Sequence, residues 1–146
     1  DLVRSRGLGD VYKRQIRMNG RLLLDTTSVI ALFAQDPGVQ DRLARATEVF
    51  VPTVVLGELY YGARKSARVE ANLARIDEFA ASNAVLVCSL ETAQQYGRIR
   101  HALQTQGRPL PENDIWIAAV ARQHGLTVVS QDEHFNQIEG LLVEKW

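Results

Sequence analysis

Five short apolar runs, separated by stretches of helical periodicity, constrain this sequence more than any other feature. They are RLLLD at 21–25, EVFV at 48–51, VLVC at 85–88, TVVS at 127–130 and LLVE at 141–144. Strand-length runs that alternate with amphipathic stretches are the signature of a mainly parallel sheet flanked by helices. An α/β fold with a sheet of four to five strands is therefore expected. Helical patterns fill the gaps. One opens near Thr27, and one spans about 38–46 with Val39, Leu43 and Ala46 on one face. A third runs from Thr53 to Arg64 behind Pro52, and a fourth over 66–81 spaces Val69, Leu73, Ile76 and Ala80 helically. A fifth covers 89–105 and stops at Gly107; a sixth runs from Asn113 to Gly125 and buries Ile117, Val120 and Ala121.

The first seventeen residues stand outside this pattern. DLVRSRGLGDVYKRQIR has no sustained periodicity, carries five basic side chains against two acidic ones, and precedes the single methionine, Met18. Residues 1–17 read as a non-native or disordered leader and 18–146 as a single domain. A basic arm that touches RNA is the alternative. The whole chain has 17 basic and 17 acidic side chains, so no global charge marks a nucleic-acid binder. Without the leader, the domain holds 12 basic and 15 acidic residues and is mildly acidic.

With 146 residues, 46% of them apolar, the chain is large enough for one core and excludes disordered or fibrous classes. One cysteine, Cys88, makes neither an internal disulfide nor a Cys-rich zinc site; it reads as a small apolar residue in a reducing cytoplasm. No run approaches the roughly 20 apolar residues that cross a bilayer.

Chemistry is sought where acids interrupt apolar structure, because a lone buried carboxylate is costly. Asp25 ends the first strand, at the sheet edge where open α/β folds place ligands. Asp132 follows TVVS in the same way. Glu58 interrupts the apolar helix VPTVVLGELYYG, and Asp114 opens the NDIWIAAVA helix with Asn113 as its expected N-cap. Taken singly, Asp114 suits the positive end of its helix and Asp132 an ordinary turn. Converging carboxylates repel one another, and persist where cations occupy the site. Oxygen-rich sites suit magnesium or manganese, whose output at a phosphate ester is hydrolysis by an activated water.

The segments DTTSVIALF, PTVVLGELYYGA, GRPLPENDIWIAAVARQHGLTVVSQDEHF and GLLVEKW together resemble the PIN domain, and more closely its VapC-type toxin ribonucleases. The similarity covers about residues 21–146. It implies a PIN-like three-layer fold and assigns Asp25, Glu58, Asp114 and Asp132 as catalytic, metal-holding acids, with Ser28, Ser130 and Asn113 in support. It also implies cleavage of single-stranded or structured RNA with Mg2+ or Mn2+, a homodimer, and inhibition by a cognate antitoxin that covers the site. The family's usual Asn near the first acid is replaced here by Thr27-Ser28. Its common Thr-Arg-Asp at the fourth acid reads Ser130-Gln131-Asp132, which removes a positive charge.

The remaining polar residues add less. No two of His101, His124 and His134 stand at zinc-ligand spacing; His134 lies near Asp132 and could approach the site, but a capping or packing role is expected of it. Arg64, Lys65 and Arg68 are the densest basic cluster, either a solvated helix end or a track for phosphates. Two other functions compete with a metal-dependent endoribonuclease toxin. A non-catalytic RNA-binding or adaptor PIN domain is expected to have lost an acid, and all four are present. A haloacid-dehalogenase-like phosphatase wants a second Asp two residues after the first, where this chain has Thr27.

Overall fold

The computed structural model describes residues 20–146; the leader and Met18 lie outside the described residues. Five strands are present: β1 (Arg21–Leu24), β2 (Glu48–Pro52), β3 (Ala84–Leu86), β4 (Thr127–Val129) and β5 (Leu142–Glu144). Six helices join them: α1 (Thr26–Phe33), α2 (Pro37–Ala44), α3 (Thr53–Arg64), α4 (Val69–Ser82), α5 (Leu90–Thr105) and α6 (Glu112–His124). A 3-10 turn, Glu133–Gln137, lies between β4 and β5. The five strands and the helical periodicity match the expectations to within two or three residues. The 3-10 turn was not among them.

All four strand pairs are parallel, in the order β3-β2-β1-β4-β5. The chain builds outward from β1 to β2 and β3, then returns to place β4 on the other side of β1. Right-handed crossovers then put the helices of these two halves on opposite faces of the sheet. The order reverses between β1 and β4, and at such a reversal the loops beyond the carboxyl ends of the strands part to leave a crevice. Leu22, Leu23 and Leu24 of β1 are all 0% exposed. That explains the uninterrupted apolar run: a central parallel strand is covered on both faces. Burial of these three leucines stabilises the fold by roughly 1.5–3 kcal/mol each.

Several helix ends are set by local chemistry. Asp36 accepts from Gly38 N and Val39 N ahead of Pro37, and Ser89 and Thr92 form a reciprocal capping box on α5. Helix α6 stops at Gly125, whose φ of 66° is a left-handed conformation that costs glycine little. Its start corrects the expectation for Asn113. The helix begins one residue earlier, with Pro111 in the capping position and no side-chain cap, so Asn113 is an exposed residue of the first turn. Proline's fixed φ suits the approach to a helix, which starts at Glu112 and so places Asn113 inside the first turn rather than ahead of it.

Cys88 is the second correction. Strand β3 ends at Leu86, and Val87, Cys88 and Leu90 lie exposed on the way into α5. Position 88 is therefore outside the core. Among the described residues, no helix is long and apolar enough to cross a membrane.

Candidate active site

The register of the central strands brings the first residues of the site together. Leu24 pairs with Val129, so the next position on each chain, Asp25 and Ser130, emerge side by side at the carboxyl end of the sheet. Asp25 caps α1 through Ser28 N at 2.9 Å, and its carboxylate is 4% exposed. A buried carboxylate needs donors in place of water. Thr27 Oγ1 donates to both carboxylate oxygens, at 2.9 and 3.0 Å, and Ser28 Oγ donates to Oδ1 at 2.7 Å. Ser130 Oγ donates to Oδ2. Ser28 also lies against the Val129 carbonyl, which ties the start of α1 to β4.

Ser130 carries this network onward. Its oxygen accepts from Asp132 N at 2.9 Å, so one hydroxyl bridges the first acid to the backbone of the fourth. Asp132 in turn opens the 3-10 turn, accepting from His134 N at 2.9 Å, and the His134 ring lies back on it with Nδ1 3.0 Å from Oδ1. The ring thus sits on an acid at the site, where a capping or packing role had been expected. Glu58 enters from the middle of α3, held by Thr26 Oγ1 at 3.0 Å.

Asp114 completes the cluster from the first turn of α6, behind Pro111. One ligand atom each from Asp114, Asp132 and His134 lies within 4.8 Å of the others. Burial pushes the Asp114 carboxyl up to about 6, from 3.8. Repulsion from Asp132, Glu58 and Asp25 adds to that rise, and His134 opposes it. All three other acids are thus near enough for their charge to be felt at Asp114. Asp25 and Asp132 follow the carboxyl ends of the paired strands β1 and β4, Asp114 lies with Asp132, and the charge of Glu58 reaches Asp114 from α3.

This geometry coincides with a match to the PIN domain model over residues 22–141. The chain belongs to the PIN-domain family. Within that family it is 36% identical over 129 residues to a ribonuclease VapC2 of Haemophilus influenzae, covering 86% of this chain and 98% of the relative. It shares the same identity and coverage with a tRNA(fMet)-specific endonuclease VapC of Shigella flexneri. The DNA-bound VapBC structure of Salmonella typhimurium is similar to this PIN domain with a TM-score of 0.80 at 31% identity, covering 87% of this chain and 98% of that one.

The remaining candidates are not drawn into the cluster of this PIN domain. Arg64, Lys65 and Arg68 lie exposed at and beyond the carboxyl end of α3. Six helical residues separate Arg64 from Glu58, roughly 9 Å along the axis. Lys65 Nζ stands 4.2 Å from the centre of the Tyr61 ring. Trp116 stacks on Tyr96 with centroids 4.0 Å apart, a packing contact within the fold. Two supporting contacts went unseen in the sequence, Thr26 on Glu58 and Thr27 on Asp25, and the approach of His134 to Asp132 was allowed but not favoured. The run of small hydroxyl residues directly after Asp25 was the signal for the first two.

Proposed function

We propose that this PIN domain is a divalent-cation-dependent endoribonuclease, the toxin of a toxin–antitoxin pair, which hydrolyses RNA phosphodiester bonds at the crevice between β1 and β4. The observation that carries the reading is the meeting of Asp25, Glu58, Asp114 and Asp132 in a chain that belongs to a family of ribonucleases. The donor set suits a hard cation: carboxylate oxygens dominate it, and Asp114 carries a repulsion from three neighbours that His134 offsets only in part. Asp25, Asp114 and Asp132 would hold Mg2+ or Mn2+, with Glu58 beside them. When bound, such a cation neutralises charge at the phosphodiester and acidifies water in contact with it.

The protein's own groups set the geometry. Thr27, Ser28 and Ser130 lock the Asp25 carboxylate in place, so that it needs no reorganisation as substrate arrives. Ser130 and the His134 amide fix the loop that presents Asp132. Thr26 orients Glu58. Arg64, Lys65 and Arg68 are assigned to the approaching RNA backbone, at a distance that suits a flanking phosphate. A cognate antitoxin is the regulating partner and a homodimer the assembly, as for toxins of this kind.

The phosphatase alternative lacks its second carboxylate: position 27, two residues after Asp25, is threonine, and its hydroxyl donates to Asp25. The decisive experiment follows cleavage of defined RNA by purified protein with Mg2+, with Mn2+ and with chelator. Cleavage that needs a cation and is lost in both Asp25→Asn and Asp114→Asn is the expected outcome. Variants that cleave like the parent, with contaminating nuclease excluded, would overturn the assignment. Binding of RNA with no cleavage across several cations would favour the adaptor reading.

A further inference from the structure

His134 is the one nitrogen ligand type at the acidic cluster, and its placement follows from the local fold. The 3-10 turn opened by Asp132 carries the chain back on itself within two residues, so the ring at 134 returns to the carboxylate at 132. The side chain is half exposed, and its contact with Asp132 holds the ring over the acid. Its ligand atom lies within 4.8 Å of one from Asp114 and one from Asp132, the only such three-residue cluster among the described residues. Two ligands at a right angle on an ion with bonds of about 2.1 Å stand about 3 Å apart. The 3.0 Å between His134 Nδ1 and Asp132 Oδ1 has that spacing.

We propose that His134 is a direct nitrogen ligand of the catalytic cation, next to Asp114 and Asp132, and that it biases the site toward a transition ion such as Mn2+ over Mg2+. The inference rests on the cation-dependent reading above. On binding, the Nδ1 proton passes to solvent or to Nε2, so that the Nδ1 lone pair takes the ion in place of the hydrogen bond to Asp132, while Asp132 keeps the His134 amide. An imidazole nitrogen is a poor ligand for magnesium, which favours oxygen and retains its water, and a good one for first-row transition ions. A ring that only oriented Asp132 from outside would support both ions alike.

The test uses tag-free, full-length protein loaded with Mn2+ or Mg2+ alone. Electron spin echo modulation of bound Mn2+ is expected to show a directly coordinated nitrogen that vanishes in His134→Ala. Titration calorimetry is expected to show Mn2+ affinity falling by about 10-fold in that variant, with Mg2+ affinity changed much less. In His134→Gln, whose amide offers an oxygen, Mg2+ affinity is retained and the nitrogen signal is still absent. Since the ring is half exposed, unchanged unfolding midpoints are expected for the cation-free variants. Bound Mn2+ without a nitrogen signal, or an equal loss of both ions, would overturn ligation by His134 and leave the cation-dependent reading standing. Failure of the parent protein to bind either ion, with Asp114→Asn indistinguishable from it, would overturn both.

Discussion

Asp25 and Asp114 belong to one cluster, yet their surroundings treat the same charge in opposite ways. Asp25 is almost fully buried and receives three hydroxyls and an amide from Thr27, Ser28 and Ser130. Asp114 is only half-buried, no donor among the described residues reaches its carboxylate, and its proton is held up to about 6. The deeper acid is the better provided. Burial alone therefore does not decide what a carboxylate costs; the count of donors that replace water does. One side of the site is a finished piece of structure, and the other carries charge that its own neighbours oppose.

The largest test of that contrast removes the finished side. Asp25→Ala is expected to cut RNA cleavage by at least about 100-fold. It should also destabilise the fold by about 1–3 kcal/mol, because buried Ser28 and Ser130 lose their acceptor. Denaturant unfolding reads the second effect, and an unshifted midpoint would remove the distinction drawn here. Asp114→Asn is expected to lose cleavage to a similar degree while moving stability the other way. Relief of repulsion should raise the cation-free melting temperature, by roughly 2–4 °C for each kcal/mol recovered. A variant that melts lower would show that Asp114 is not strained.

The pH dependence of the cation-free protein sharpens the same point. Asp114 binds its proton more tightly in the native state, about 6, than at the ordinary 3.8. Below about 4 both states hold the proton and there is no penalty. As pH rises from there through 6, the unfolded chain releases the proton more readily, and native stability is lost. Melting followed from pH 4 to pH 7 should show this decline superimposed on other groups. Subtracting the Asp114→Asn profile isolates it, and parallel profiles would refute it. The smallest expected effect is that of Ser130→Ala, about 1 kcal/mol, from loss of the hydroxyl between Asp25 and Asp132.

The acids were legible because each stands at the end of an apolar strand or in an apolar helix, whereas the register of β1 with β4 left no mark on two strands of uniform apolar character. What escaped the sequence was short-range backbone geometry. A five-residue 3-10 turn is too brief to leave a periodic pattern, so the closeness of His134 to Asp132 in sequence allowed an approach to the site but did not decide it over capping or packing. Asn113 failed as a cap because the helix starts one residue ahead of it, at Glu112. Cys88 was assigned to a strand because VLVC is apolar throughout, whereas edge strand β3 stops two residues earlier and leaves the rest exposed. Apolar character marks the centre of a parallel sheet better than its margin.

The bond from Ser130 to Asp25 joins residues 105 positions apart. Contacts of such long separation pay the loop-closure cost of nearly the whole chain before they return anything, and folds built on them form slowly. Helices can condense earlier, but a partly folded chain holds Asp25 and Asp132 on separate pieces. Activity is expected to need this contact, and a refolding time course is expected to show cleavage lagging behind helix content; cleavage rising together with helix content would refute that order.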